Sequence, residues 1–274
     1  MDRTYPLSEG QSEEDPDHAR LSTATPAVLR LPRLRLDGAV FDLDGVVTDT
    51  ARVHAAAWKE VFDGFLGEHD AAEGSSEPPF GEADYLAHVD GKARYDGAAA
   101  FLASRGVAVP WGTPDDPTTA RTVCGLGNAK DRRFHHLLVT QGVTAYPGTL
   151  ALIAEMDGAG LDVAIVSASR NCRQVLAAAG LAGVFDTIVD GVDADRIGLA
   201  SKPDPAIFLE AARRLGRLPG RLVLFEDAVA GVAAGRRGGF AIVVGVDRHH
   251  RPDRLLEAGA DAVVTDLAEV RVDA

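Results

Sequence analysis

The chain is short of cysteine, of positive charge and of long apolar runs, and each shortage closes off a class of protein. Its 274 residues include two cysteines, Cys124 and Cys172, far apart and without CxxC spacing. These read as free thiols in a reducing cytoplasm, not as a disulfide framework. Lys and Arg number 28 against 41 Asp and Glu, a net charge of −13. That sign argues against nucleic acid or an anionic membrane surface as the main partner. It leaves room for a phosphorylated small molecule, because a metal and a few basic groups invert the field inside a site. No apolar run approaches the roughly 18 residues of a membrane span. The opening "MDRTYPLSEGQSEEDPDHARLSTATP" has no hydrophobic signal core. Residues 1–33 are therefore expected to form a disordered arm.

The residues that remain carry a clear rhythm. "LDGAVFD" reads as a buried strand over 38–42, and "ARVHAAAWKEVFDGFL" places Val53, Ala57, Val61 and Phe65 at helical spacing. Helices are expected near 82–88, 94–105 and 129–140, with a long irregular connection before the last. A further helix follows "YPG" and ends at Gly158 or Gly160. From there "LDVAIVSAS", "FDTIVD", "RLVLFED", "FAIVVGV" and "DAVVTD" read as strands separated by helices. This alternation predicts an α/β fold with a parallel sheet covered on both faces. The first strand belongs with the later ones, yet a helical stretch intervenes. The economical organisation is an α/β core of 34–50 and 147–274, with a helical cap of 51–146 inserted. Connections near 50 and 146 would then be hinges.

"VFDLDGVVTDT" brings Asp42 and Asp44 to the end of the first strand, one residue apart. Ser167 ends the next strand, and Glu226 with Asp227 ends "LVLFED". Lys202, in "ASKPDP", precedes a helix that Asp204 could cap. In open parallel sheets ligands bind beyond these carboxyl ends. Taken singly, each motif has a bland reading as a turn, a cap or a solvated loop. Together they point to carboxylates around a divalent cation, and all-oxygen ligation suits Mg²⁺. One carboxylate can then also be a nucleophile that forms an aspartyl-phosphate. Lys202 and Ser167 would hold the transferring phosphoryl oxygens.

"FDLDGVVTDT", "VSAS", "KPDP" and "FEDAVAGVAA" resemble the four motifs of the haloacid dehalogenase-like (HAD) hydrolase superfamily. The resemblance covers about residues 36–270 and extends to the capped subfamily, above all to the β-phosphoglucomutase group. It implies a HAD-like Rossmannoid core, Asp42 as nucleophile and Asp44 as general acid–base. It also implies Mg²⁺ held by Asp42, the Asp44 carbonyl, Glu226 and Asp227. Dehalogenases of the superfamily lack the second aspartate, so Asp44 argues against dehalogenation. "TDTARVHAAAWK" is similar to the mutase stretch whose cap histidine positions the acid–base, here His54. Arg94 in "VDGKARYDG", with Ser169, Arg170 and Asn171 in "SASRN", matches the mutases' distal phosphate site, and Lys130 in "GNAKDRRF" aligns more weakly. Where Arg170 stands, such mutases usually carry Lys. Asp49 reads as a structural acid at the hinge, and the 107–128 segment is longer than in the compact mutases.

The expectation is thus a cytoplasmic, monomeric phosphoryl-transfer enzyme acting on a sugar phosphate, with no nucleic-acid or membrane partner. It would interconvert β-glucose 1-phosphate and glucose 6-phosphate. A Mg-dependent sugar-phosphate phosphatase with the same nucleophile is the alternative. A silent phosphosugar sensor would not need both aspartates.

Overall fold

The computed structural model describes residues 28–74 and 76–273. Its eight strands are β1 Leu29–Leu31, β2 Gly38–Asp42, β3 Asp162–Val166, β4 Thr187–Val189, β5 Leu222–Glu226, β6 Ile242–Val246, β7 Ala262–Val264 and β8 Val270–Val272. Ten α-helices accompany them: α1 Ala51–Glu73, α2 Glu82–Asp84, α3 Arg94–Ser104, α4 Val123–Gln141, α5 Pro147–Gly158, α6 Cys172–Ala178, α7 Gly191–Ile197, α8 Ala206–Leu215, α9 Val229–Arg237 and α10 Pro252–Ala258.

Six strands form one sheet in the order β4-β3-β2-β5-β6-β7, and every pairing is parallel. Successive side chains on each strand point to opposite faces. Ala39, Phe41, Ile165, Val223 and Phe225 accordingly bury against one helical layer. Val40, Ala164, Val166, Leu222 and Leu224 bury against another that includes Phe208 and Val232. Phe41 and Phe225 are paired across β2 and β5, with rings stacked at 4.6 Å.

β2 is central and its neighbours leave it in opposite directions along the chain, to β3 on one side and β5 on the other. Such a switch point opens a crevice at the carboxyl end of the strand, and β2 ends at Asp42. Between β2 and β3 the chain builds a helical layer with an aromatic cluster of its own, including Trp58, Phe62, Phe80, Phe101 and Leu126. The two strands of passage into this layer touch: Thr48 bridges Ala145, and Asp49 N donates to Thr144 O at 2.9 Å.

Two sequence expectations need correction. Part of the expected disordered arm is ordered, because Leu29–Leu31 pairs in parallel with Val270–Val272; residues 1–27 lie outside the described residues. The helix expected from 129 begins at Val123, where the Thr122 hydroxyl caps it by accepting from Gly125 N at 2.9 Å. Ahead of Lys202 the chain forms α7, capped by Asp190, whose carboxylate accepts from Val192 N and Asp193 N. Cys124 and Cys172 are both free and buried. Among the described residues no helix is long and apolar enough to cross a membrane.

Candidate active site

The inner end of the crevice concentrates buried charge. Lys202 Nζ donates to Asp42 Oδ1 at 2.5 Å and to Glu226 Oε1 at 2.9 Å. Glu226 Oε2 accepts from Asp227 N at 2.8 Å, and Asp42 Oδ2 accepts from Asp44 N at 3.0 Å. The side chains of Asp42, Lys202, Glu226 and Asp227 are buried. Burial works against the Lys202 ammonium, but the Asp42 and Glu226 carboxylates outweigh it and hold the lysine protonated. Asp42 is pushed well above the usual carboxylate range by burial and then by Glu226. Asp227 is pushed up by burial and then by Asp90.

Asp42, Glu226 and Asp227 each offer an oxygen within 4.8 Å of the others. Three buried carboxylates against one ammonium leave negative charge uncompensated, which a divalent cation would correct. The donor set therefore fits a metal ion. Gly45 permits this crowding: its φ is +88°, and a Cβ there would lie 1.7 Å from Asp227 Oδ2. Its carbonyl accepts from Arg248 Nε at 2.7 Å, while the Arg248 guanidinium sits 3.7 Å over the ring of Tyr146. One arginine thus ties the first-motif loop to the second passage into the helical layer.

Asp44 is not part of the metal-type cluster, because other groups take its side chain. Oδ2 accepts from the Ser167 hydroxyl at 2.8 Å, and Oδ1 accepts from Thr50 at 2.5 Å. His54 Nε2 lies 3.4 Å from Oδ1. Burial would raise the Asp44 carboxyl; His54, Thr50 and Ser167 outweigh it and hold the group well below the usual range. His54 contributes fully only when protonated, and burial beside Lys130 pushes its own pKa down. Thr50 and Ser167 donate in either state. Lys130 Nζ faces His54 Nδ1. With Lys130 as donor, the ring proton is left on Nε2, toward Asp44. Burial, then Arg94, pushes the Lys130 ammonium down to about 7.

The outer end holds Arg94, Ser169, Arg170 and Asn171, all lining the same cleft as Asp42, Asp44, His54 and Lys130. Arg94 and Asn171 are both bonded to Asp131. Arg170 pairs with Asp195 at 2.9 Å and is half exposed. Ser169 N donates to the Ser167 hydroxyl, and the Ser169 hydroxyl accepts from Asn171 N. Asp204 Oδ1 accepts from Ala206 N at 2.9 Å, the capping contact expected of it. Asp49 accepts from the Tyr146 hydroxyl at 3.3 Å, a contact between the two passages into the helical layer.

Asp90 escaped the sequence reading. It lines the cleft, and its carboxyl is pushed up to about 6 by enclosure and then by Glu226. Its only sequence signal is the Asp-Gly pair before Lys92. Gly91 shows why it comes so close: φ is +70°, and a Cβ there would sit 2.9 Å from the Ala228 Cβ. Ala93 N also donates to the Ser201 hydroxyl at 3.0 Å, so the helical layer is seated on the sheet's end.

The haloacid dehalogenase-like hydrolase model matches residues 36–239. The chain belongs to the haloacid dehalogenase-like hydrolase family. It is 47% identical over 247 residues to a β-phosphoglucomutase of Mycobacterium bovis, covering 89% of this chain and 94% of that protein. A Bacillus subtilis β-phosphoglucomutase is 28% identical, over 85% and 91% of the two chains. The crystal structure of a Clostridium difficile β-phosphoglucomutase superposes with a TM-score of 0.68 at 24% identity, covering 85% and 92%. That last likeness supports the fold alone. The HAD-like fold with a parallel sheet and helical content, expected from the motifs, is the one found.

Proposed function

We propose that this chain interconverts β-glucose 1-phosphate and glucose 6-phosphate, through a bisphosphorylated sugar and an aspartyl-phosphate at Asp42. The observation that supports the reading is a cleft with a basic side chain toward each end. Lys202 and the carboxylate cluster stand at one, Arg94 and Asn171 at the other. A bisphosphate that leaves and returns reversed needs both. The similarity to the Mycobacterium bovis β-phosphoglucomutase supports it.

The Asp42 carboxylate attacks phosphorus, and the bond from phosphorus to the sugar oxygen breaks. Asp44, held ionised, takes the proton of the sugar hydroxyl that attacks the aspartyl-phosphate, and gives that proton to the leaving oxygen when Asp42 is phosphorylated again. Ser167 and Lys202 orient the phosphoryl oxygens, and His54 positions Asp44 from the helical layer. Asp42, Glu226, Asp227 and the Asp44 carbonyl would hold Mg²⁺, which when bound offsets charge on the transferring group. Residues 51–146 act as a cap that closes on hinges near 50 and 146. Closure keeps water from the aspartyl-phosphate.

Three results check this reading. Chelation with excess EDTA is expected to abolish turnover, and added Mg²⁺ to restore it; full activity in the chelator would refute the metal assignment. With β-glucose 1-phosphate and catalytic bisphosphate, the wild type is expected to yield glucose 6-phosphate. Arg94→Ala is expected to lower that conversion roughly ten- to a hundredfold, through one lost charge-assisted contact. Release of free phosphate alone by the wild type would replace the mutase by a phosphatase.

A further inference from the structure

Arg94 and Asn171 already hold an anion, and it belongs to the protein. Asp131 Oδ1 accepts from Arg94 Nη2 at 2.6 Å and from Asn171 Nδ2 at 2.7 Å. Arg94 and Asp131 lie on α3 and α4 of the helical layer, whereas Asn171 stands at the start of α6 on the sheet. A single carboxylate oxygen therefore joins one donor from each side of the cleft. The other polar atoms of Asn171 are engaged, its carbonyl facing His135 Nε2 at 3.0 Å and its backbone N–H the Ser169 hydroxyl. Its amide nitrogen is what remains to offer a ligand.

The charge balance makes this occupancy consequential. Arg170 is half exposed and paired with Asp195. Lys130 points its Nζ at His54. Arg94 is the cation that meets Asp131, and the pairing offsets its charge. A phosphate monoester brings up to two negative charges and three acceptor oxygens. Were Asp131 to stay, three negative charges would share one guanidinium at close range. The Asp131 side chain retains 24% exposure, so its carboxylate already stands at the edge of water.

We propose that Asp131 is an internal competitor for the outer phosphate, holding the Arg94 and Asn171 donors until a phosphoryl group displaces it. This rests on the reading of those two residues as a phosphate site. Affinity is lowered by the fraction of time the donors are taken. A sugar with no phosphate at this end has nothing with which to evict the carboxylate. Asp131 is then a specificity determinant, excluding unphosphorylated sugars and loosening the hold on the bisphosphate.

The test is calorimetric titration of β-glucose 1,6-bisphosphate, with Asp42→Asn throughout to prevent turnover. Asp131→Asn and Asp131→Ala are each expected to bind it tighter, by on the order of tenfold. Arg94→Ala is expected to bind it more weakly. Unchanged or weaker binding in the Asp131 variants, with Arg94→Ala still weakened, overturns the competition and makes Asp131 an orienter of Arg94. Tightening confined to the Asn variant overturns it too, since the new amide would then be an added donor. If Arg94→Ala binds as well as its parent, the outer phosphate site is elsewhere and both readings fall.

Discussion

Asp42→Asn is expected to lose turnover by roughly 10⁴-fold or more, the scale seen when a catalytic nucleophile is removed. An amide cannot form the acyl phosphate. The fold should survive for a reason visible around the side chain. Asp42 accepts from Lys202 through one oxygen and from Asp44 N through the other. Asparagine keeps one acceptor and turns an NH₂ toward one of these donors, a loss of about 1 kcal/mol. Against that, one of three crowded buried carboxylates disappears, and with it part of the repulsion that raises Asp42 itself. Thermal unfolding should therefore change little while activity collapses. Substantial phosphoryl transfer by a clean preparation would exclude Asp42 as nucleophile.

The second large effect is selective. Asp44→Asn is expected to reduce sugar-phosphate turnover about 10²–10⁴-fold, the usual range for general acid–base help. Phosphorylation of Asp42 by acetyl phosphate should fall far less, because acetate leaves without needing a proton. Mass spectrometry of the phosphorylated chain, set beside steady-state rates, reads the two effects apart. Equal losses on both substrates would mean that Asp44 acts by placing Asp42. Asp42 Oδ2 accepts from the Asp44 backbone N–H, a bond that asparagine retains, so that outcome would require the loop itself to shift.

Much of the sheet was legible because its strands are short, continuous apolar runs ending in polar residues. Asp42, Ser167, Glu226 and Asp227 needed only the rule that parallel strands present their carboxyl ends together. The helical layer was harder. "VCGLGNA" reads as a loop by its glycines, yet it forms about the first two turns of α4. A Cβ on Gly125 would lie 2.3 Å from Ala120 O, and one on Gly127 2.7 Å from the Tyr95 ring. These glycines serve close packing, and that contact is invisible before the chain folds. Asp131 was overlooked for a similar reason. In "NAKDRR" it reads as a helix-surface acid, and only the meeting of α3, α4 and α6 sets it between Arg94 and Asn171.

The contact between Thr48 and Ala145 also bears on how the chain folds. β2 must find β3 across an excursion of roughly 120 residues, from Asp42 to Asp162, and closing a loop costs more as it lengthens. The helical layer has its own aromatic cluster, so it can condense from contacts nearer in sequence. Once it does, positions 48 and 145 are neighbours. The effective distance from β2 to β3 shrinks to roughly 20 residues. At about 0.6 kcal/mol for each doubling of length, this removes about 1.5 kcal/mol from the closure of the central strand pair. The insertion that seems to interrupt the sheet thereby lowers the entropic barrier to assembling it.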